Sequence, residues 1–135
     1  MPLFTKLGKY NNTALLLLRI GVGIMMMLHG YPKLAGGIAK WEKLGSSIEV
    51  LGIHSGFTIW GFLAAITESV GGLFMLLGLF FRPTMLFLLF TMGIAVTKHL
   101  SGGDTIMDAS HAMELGILFL ALFIIGPGKY SIDKT

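Results

Sequence analysis

Three ionisable residues stand inside long apolar stretches of the chain: Arg19, Glu68 and Glu114. At membrane depth such a side chain costs about 2.5–3.5 kcal/mol on insertion scales, and it marks a functional site by default. Left unpaired, the three together would cost roughly 8–10 kcal/mol, comparable to the whole stability of a typical domain. They are therefore expected to face a protein interior and find partners. Arg19 lies ten residues before His29, and Glu68 about ten residues into the second apolar stretch. At ~1.5 Å per residue each is about 15 Å down from the same membrane face. Matched depth on antiparallel helices predicts an Arg19–Glu68 ion pair. Glu114, some 8–9 Å down, falls within reach of the arginine fork, whose five donors suit carboxylates. Such a set can hold a ligand or relay protons; the competing reading is a salt bridge that only fixes helix packing.

A second polar layer is expected above this floor. His29, Lys98, His99 and His111 all fall at or near the outer ends of their helices, so the sequence predicts a polar funnel with histidines and a lysine at its mouth. Each histidine has a plainer reading as an interfacial polar residue, and His54 reads as solvated. Haem is disfavoured because no facing histidine pair is singled out. A zinc or iron site at His29, His99, His111 and Glu114 is chemically conceivable, but no metal-ligand spacing supports it. The nine methionines read as flexible apolar packing rather than a copper path.

The elements that must position these groups are long and apolar. Four runs, Thr13–His29, Phe57–Phe81, Thr84–Leu100 and Ala109–Ile125, have the length a helix needs to cross a hydrocarbon layer of ~30 Å. Gly30-Tyr31-Pro32, Arg82-Pro83, Ser101-Gly102-Gly103-Asp104 and Gly126-Pro127-Gly128 punctuate them. The expected fold is an all-α, four-helix transmembrane bundle in a single domain over residues 1–135. Between the first two spans, Ala35–Gly56 carries Ile38, Trp41, Leu44, Ile48 and Leu51 at helical spacing among charged residues. That pattern predicts an amphipathic interfacial helix anchored by Trp41, acting either as a surface connector or as a lid over a pocket. Arg19 inside the first run, and no small-residue cleavage site after it, favour a retained anchor over a cleaved signal peptide. Lys6, Lys9, Arg82, Lys129 and Lys134 flank one side; Lys33, Lys40 and Lys43, with Lys98 at a helix end, flank the other. This bias places both termini inside.

Composition agrees with a membrane protein. Of 135 residues, 54% are apolar and 13% charged, with a mean hydropathy of +0.80; soluble domains average about 25% charged. So few charges cannot cover a soluble globule, which excludes an ordinary soluble enzyme, a disordered segment and a nucleic-acid-binding domain. The net charge of +3 fits anionic lipid headgroups instead. There is no cysteine, so disulfide, thiolate-metal and thiol redox chemistry on this chain are excluded.

The run Leu18-Arg19-Ile20, then Leu28-His29-Gly30-Tyr31-Pro32-Lys33-Leu34, resembles the DoxX family of small bacterial inner-membrane proteins with four helices. So do Glu68-Ser69-Val70-Gly71-Gly72, Leu77-Gly78-Leu79-Phe80-Phe81-Arg82, His99, Glu114 and the tail Gly126-Pro127-Gly128-Lys129-Tyr130-Ser131-Ile132-Asp133. The resemblance spans roughly residues 13–133 and contains no catalytic signature. It implies a small membrane subunit of a quinone-linked oxidoreductase complex. In that reading a quinone headgroup or anion sits in the funnel. Arg19 and Lys98 supply positive charge, His29, His99 or His111 carry protons, and Glu68 and Glu114 orient the bases. Without cysteine, sulfur chemistry would need a partner chain or direct attack on bound substrate. Two further readings stay open: a proton- or anion-handling transporter-like protein that oligomerises to make a pathway, and a non-catalytic scaffold docking partners through Ala35–Gly56. Whether the chain is itself an enzyme is open, as is its oligomeric state.

Overall fold

A computed structural model describes residues 3–134. All regular secondary structure among the described residues is helical. A short 3-10 turn, Thr5–Tyr10, leads into α1 (Asn11–Ala35); then follow α2 (Gly37–Gly45), a second 3-10 turn (Ser46–Leu51), α3 (Phe57–Leu77), α4 (Phe81–Ser101) and α5 (Ile106–Ile125). Four of these helices, α1, α3, α4 and α5, are long and apolar enough to cross a membrane. The all-α four-span architecture expected from the sequence is the observed one.

Boundaries differ where tertiary contacts overrule local signals. α1 runs through Gly30-Tyr31-Pro32 to Ala35 instead of ending at His29. In hydrocarbon an unpaired backbone group has no water to bond, so a helix persists to the interface even across a proline. Its last turn is held from outside: the Trp41 indole donates to the carbonyls of Lys33 and Leu34 at 3.1 and 3.2 Å. The tight turn expected at Arg82-Pro83 lies earlier, at Gly78–Phe80, where Gly78 closes α3 with φ 66°. Pro83 then falls in the first turn of α4, where its missing N–H breaks no helical bond. α5 begins at Ile106, three residues before the expected start, because Thr105 and Asp108 form a reciprocal capping box.

The spans pack in the order α1, α3, α4, α5. α1 meets α3 through glycine: a methyl at Gly23 would stand 2.8 Å from the Gly72 carbonyl, and one at Gly72 the same distance from the Gly23 carbonyl. Small residues thus let two backbones approach as membrane helix pairs do. α4 lies between α3 and α5, whereas the α1 and α5 backbones nowhere come within 8 Å, Cα to Cα. The fourth seam is therefore a groove of about 340 Å³, lined by Leu18, Val22, Met26 and Leu115 among others. The core holds Met26, Met75, Met85 and Met92 with Phe81, Leu88, Phe119 and Leu122, so these methionines fill space, as flexible thioethers do.

The segment expected as one amphipathic helix is two pieces. α2 breaks at Gly45, whose α-carbon is pressed against the Phe57 carbonyl of α3, while Gly61 of α3 is pressed against the Trp41 carbonyl. The 3-10 turn that follows bends over α4 and buries Ile48. Trp41 does not reach outward as an interfacial anchor. It is half-buried, hydrogen-bonded to the end of α1, and packs edge-on against Phe62 with centroids 5.0 Å apart. Two amide-bonding carbonyls and an aromatic partner hold it inward more firmly than headgroups would.

Candidate functional site

Arg19 and Glu68 do not pair. With α1 extended to Ala35, Arg19 lies about 24 Å from that end, level with the last turn of α3 rather than with Glu68. Its buried guanidinium donates from Nε to the Met75 carbonyl at 3.1 Å and from Nη2 to the Leu76 carbonyl at 2.8 Å. Nη1 donates to the carbonyls of Pro127 at 3.1 Å and Tyr130 at 2.6 Å. Four backbone oxygens, not a carboxylate, satisfy the fork. The helix C-terminus offers free carbonyls and a partial negative charge, which a buried cation matches well.

Arg19 thereby anchors the C-terminal tail, which knots this end of the bundle. Ile132 and Asp133 N–H groups donate to the carbonyls of Leu77 and Gly78 at 3.1 and 2.8 Å. The Asp133 carboxylate accepts from the N–H groups of Phe80 and Phe81 at 2.9 and 2.7 Å, capping the start of α4. Asn12 Oδ1 accepts from the Lys129 N–H at 2.8 Å. This is a structural clasp.

Glu68 has a different partner, one the sequence reading did not single out. Lys33 Nζ donates to Glu68 Oε2 at 2.7 Å, with side-chain exposures of 32% and 7%. The signal was present: Arg19, Gly23, Met26 and Gly30 form a stripe at spacings of three and four, and Lys33 is its next member. Gly30 sits directly against the Ser69 N–H and the Glu68 backbone, which brings the last turn of α1 to Glu68. Among the described residues, Lys33 makes the only hydrogen bond to this carboxylate, at Oε2.

Both partners line a cleft of about 260 Å³ between α3 and α4, roofed by α2 and the second 3-10 turn. Trp60, Phe87, Phe90 and Ile94 make its walls apolar; Thr67, Thr91 and Ser47 add hydroxyls. Phe87 and Phe90 are 65% and 52% exposed on the outer surface of α4, so the cleft opens sideways toward the hydrocarbon. Lys98 ties its roof down by donating to Ser47 Oγ at 3.0 Å. The arrangement is an ion pair lining an aromatic slot whose Phe87 and Phe90 wall reaches the outer surface of α4. It suits an amphiphile whose polar head reaches Lys33 and Glu68 while its apolar tail stays in the bilayer.

The other expected site residues lie elsewhere, so the single funnel does not form. His99 pairs with Asp104 at 2.7 Å near the exposed end of α4. His29 and His111 face each other across the α1–α5 seam, with ring centroids 5.8 Å apart. His29 Nδ1 is bonded to the Met25 carbonyl at 2.8 Å. Glu114 is exposed on the outer side of α5. The depth count failed because it took helix ends from punctuation, and face assignment failed because α5 packs on α4 and not against Arg19.

Known proteins agree that this is a membrane chain. No solved structure matches the chain. It is similar to the Inner membrane protein YphA of Escherichia coli (strain K12), at 29% identity over 138 aligned positions that cover 94% of this chain and 93% of that one. The DoxX family model matches residues 14–100. That match takes in the Arg19 stripe, the Lys33–Glu68 pair and the whole α3–α4 cleft, and the chain therefore belongs to the DoxX family.

Proposed function

We propose that the α3–α4 cleft binds the head of a membrane-soluble carrier of the quinone class, and that the chain serves as a small subunit of a quinone-linked oxidoreductase complex in a bacterial inner membrane. One observation carries this reading: a 93%-buried carboxylate paired with a lysine lines a mostly apolar slot whose aromatic wall reaches the outer surface of a span. A polar head arriving from the bilayer replaces water at that pair, while aromatic walls at Trp60, Phe87 and Phe90 stack on a flat ring. Lys33 donates to a quinone carbonyl oxygen, and Glu68, accepting from the same ammonium at 2.7 Å, orients it. Reduction of a quinone to its quinol consumes two electrons and two protons. A partner subunit supplies the electrons; Lys33 hands one proton to a quinone oxygen, is reprotonated from water at its partly exposed side, and hands on the second in the same way. The inner-membrane location draws support from the name of the YphA relative.

The test uses the full chain in phospholipid nanodiscs, titrated with a short-chain ubiquinone analogue while tryptophan fluorescence is read. Saturable quenching that disappears in Trp60→Phe is expected, because Trp60 lines the slot. Lys33→Ala should weaken the affinity about tenfold, the worth of one charge-assisted hydrogen bond. Linear, non-saturating quenching that is indifferent to Lys33→Ala and to a slot-filling Thr91→Phe would remove the reading.

A further inference from the structure

The open seam between α1 and α5 ends in a basic pocket. At the tail end of the bundle a cavity of about 580 Å³ lies between Asn12 and Leu15 of α1, Arg82 of α4, Ile125 of α5 and the tail residues Lys129 and Lys134. Against these three cations stands one acid, Asp133, whose two oxygens accept from the Phe80 and Phe81 N–H groups. Arg82 is fixed by the end of α5: Nε donates to the Phe123 carbonyl at 3.0 Å and Nη2 to the Ile124 carbonyl at 3.3 Å. Among the described residues its Nη1 makes no hydrogen bond, and the Lys129 and Lys134 ammonium groups make no hydrogen bond and no ion pair. Lys129 lies only loosely over the ring of its neighbour Tyr130, 6.0 Å from the centroid.

The walls of this pocket run on into the apolar groove. On α1, Asn12, Leu15, Leu18, Val22 and Met25 recur at spacings of three and four and share one face. The first two line the pocket and the last three the groove. Across the seam, Ile125 belongs to the pocket and Leu115 to the groove. From Leu15 to Met25 the run is about 15 Å, one leaflet's share of a hydrocarbon layer of ~30 Å. Gly21 recesses the groove, and nothing stands within 4 Å of where its side chain would begin.

We propose that the α1–α5 seam binds one anionic phospholipid, its phosphate among Arg82, Lys129 and Lys134 and one acyl chain in the groove. A phosphodiester offers charged acceptor oxygens, and Arg82 Nη1 with two ammonium groups supplies the donors. Basic pockets between spans take anionic headgroups in this way. The chain covers Leu18, Val22 and Leu115, apolar surface that the two helices leave apart. A zwitterionic lipid brings its own cation into the pocket and is held less tightly.

The full chain, purified in mild detergent and stripped of lipid, is titrated with dioleoylphosphatidylglycerol, dioleoylphosphatidylcholine or glycerol phosphate and read by native mass spectrometry. The expected result is a saturable adduct of one phosphatidylglycerol per chain, held about tenfold more tightly than phosphatidylcholine. Glycerol phosphate, which has no acyl chain, gives no adduct. Lys129→Gln combined with Lys134→Gln weakens phosphatidylglycerol binding about thirtyfold, the usual worth of two interfacial lysines. Lys6→Gln combined with Lys9→Gln removes the same charge outside the pocket and leaves the affinity unchanged. Gly21→Leu, which places a side chain in the groove, weakens both lipids about tenfold. Equal affinity for the two lipids, or glycerol phosphate that competes with phosphatidylglycerol as at a free-phosphate site, overturns the proposal. So does a Lys6 and Lys9 pair that matters as much as Lys129 and Lys134, or binding indifferent to Gly21→Leu. None of these residues lines the α3–α4 cleft, so saturable Trp60 quenching persists in every variant and the two readings fail separately.

Discussion

Arg19 and Glu68 show how a buried charge is judged by what surrounds it. A guanidinium has five donors, and four carbonyls use them at Arg19. Removing it takes that donor from all four carbonyls in a largely buried site, where, among the described residues, Met75 alone keeps another, the Gly78 N–H. Arg19→Ala is therefore expected to cost about 3 kcal/mol or more of stability, read as a lower unfolding midpoint in a mixed-micelle denaturation series. Arg19→Lys, with one ammonium in place of a fork, should fall between the two. Glu68 has no such web and depends on Lys33 alone. Glu68→Gln should leave the unfolding midpoint within about 1 kcal/mol of the parent, since a carboxamide still accepts from Lys33. A loss there as large as that of Arg19→Ala would mean that the pair is chiefly a structural tie. Lys33 was legible in advance as the next member of the Arg19–Gly30 stripe. What hid it was the proline before it, which reads locally as a helix end.

At the scale of elements, glycine decides what lies over the cleft. α2 reaches α3 only because Gly45 and Gly61 have no side chains to hold the backbones apart. Gly61→Ala is expected to lift α2 from α3 while the four spans persist. Amide exchange over residues 37–51 would then speed up, and that over α4 and α5 would not. Unchanged exchange at 37–51 would show that the roof is held by Trp41 and Lys98 instead. Amphipathic spacing in Ala35–Gly56 announced a surface element, but its break at Gly45 and the inward turn of Trp41 depend on α3, which no local window contains. The four long apolar runs were read nearly to their ends, because hydrocarbon thickness imposes helix length regardless of neighbours.

Taken whole, the molecule is a bundle with two closely packed seams, α1–α3 and α4–α5, a cleft at the α3–α4 seam and an open groove between α1 and α5. Its tail end is tied by the Arg19 clasp and carries Lys6, Lys9, Arg82, Lys129 and Lys134. The distribution of basic residues predicts that this end faces the cytoplasm. A green fluorescent protein fused after Lys134 should fluoresce, and alkaline phosphatase at the same point should be inactive; the same pair fused into the loop near Gly102 should give the reverse. The opposite pattern would put the cleft near the cytoplasmic surface and reassign the side from which its protons come.

Composition and apolar run length alone determined that this chain is a four-span helical membrane protein, since the free energy of burying backbone in lipid leaves few other solutions. Face periodicity also named most residues that lie inward, Arg19 and Glu68 among them. Which charge meets which was settled only in three dimensions. An ion pair depends on the relative axial register of two helices, and here that register is set by Gly23, Gly30 and Gly72 meeting backbone across α1 and α3. A shift of a few turns, invisible to residue counting, moved Arg19 to the tail and gave Glu68 to Lys33.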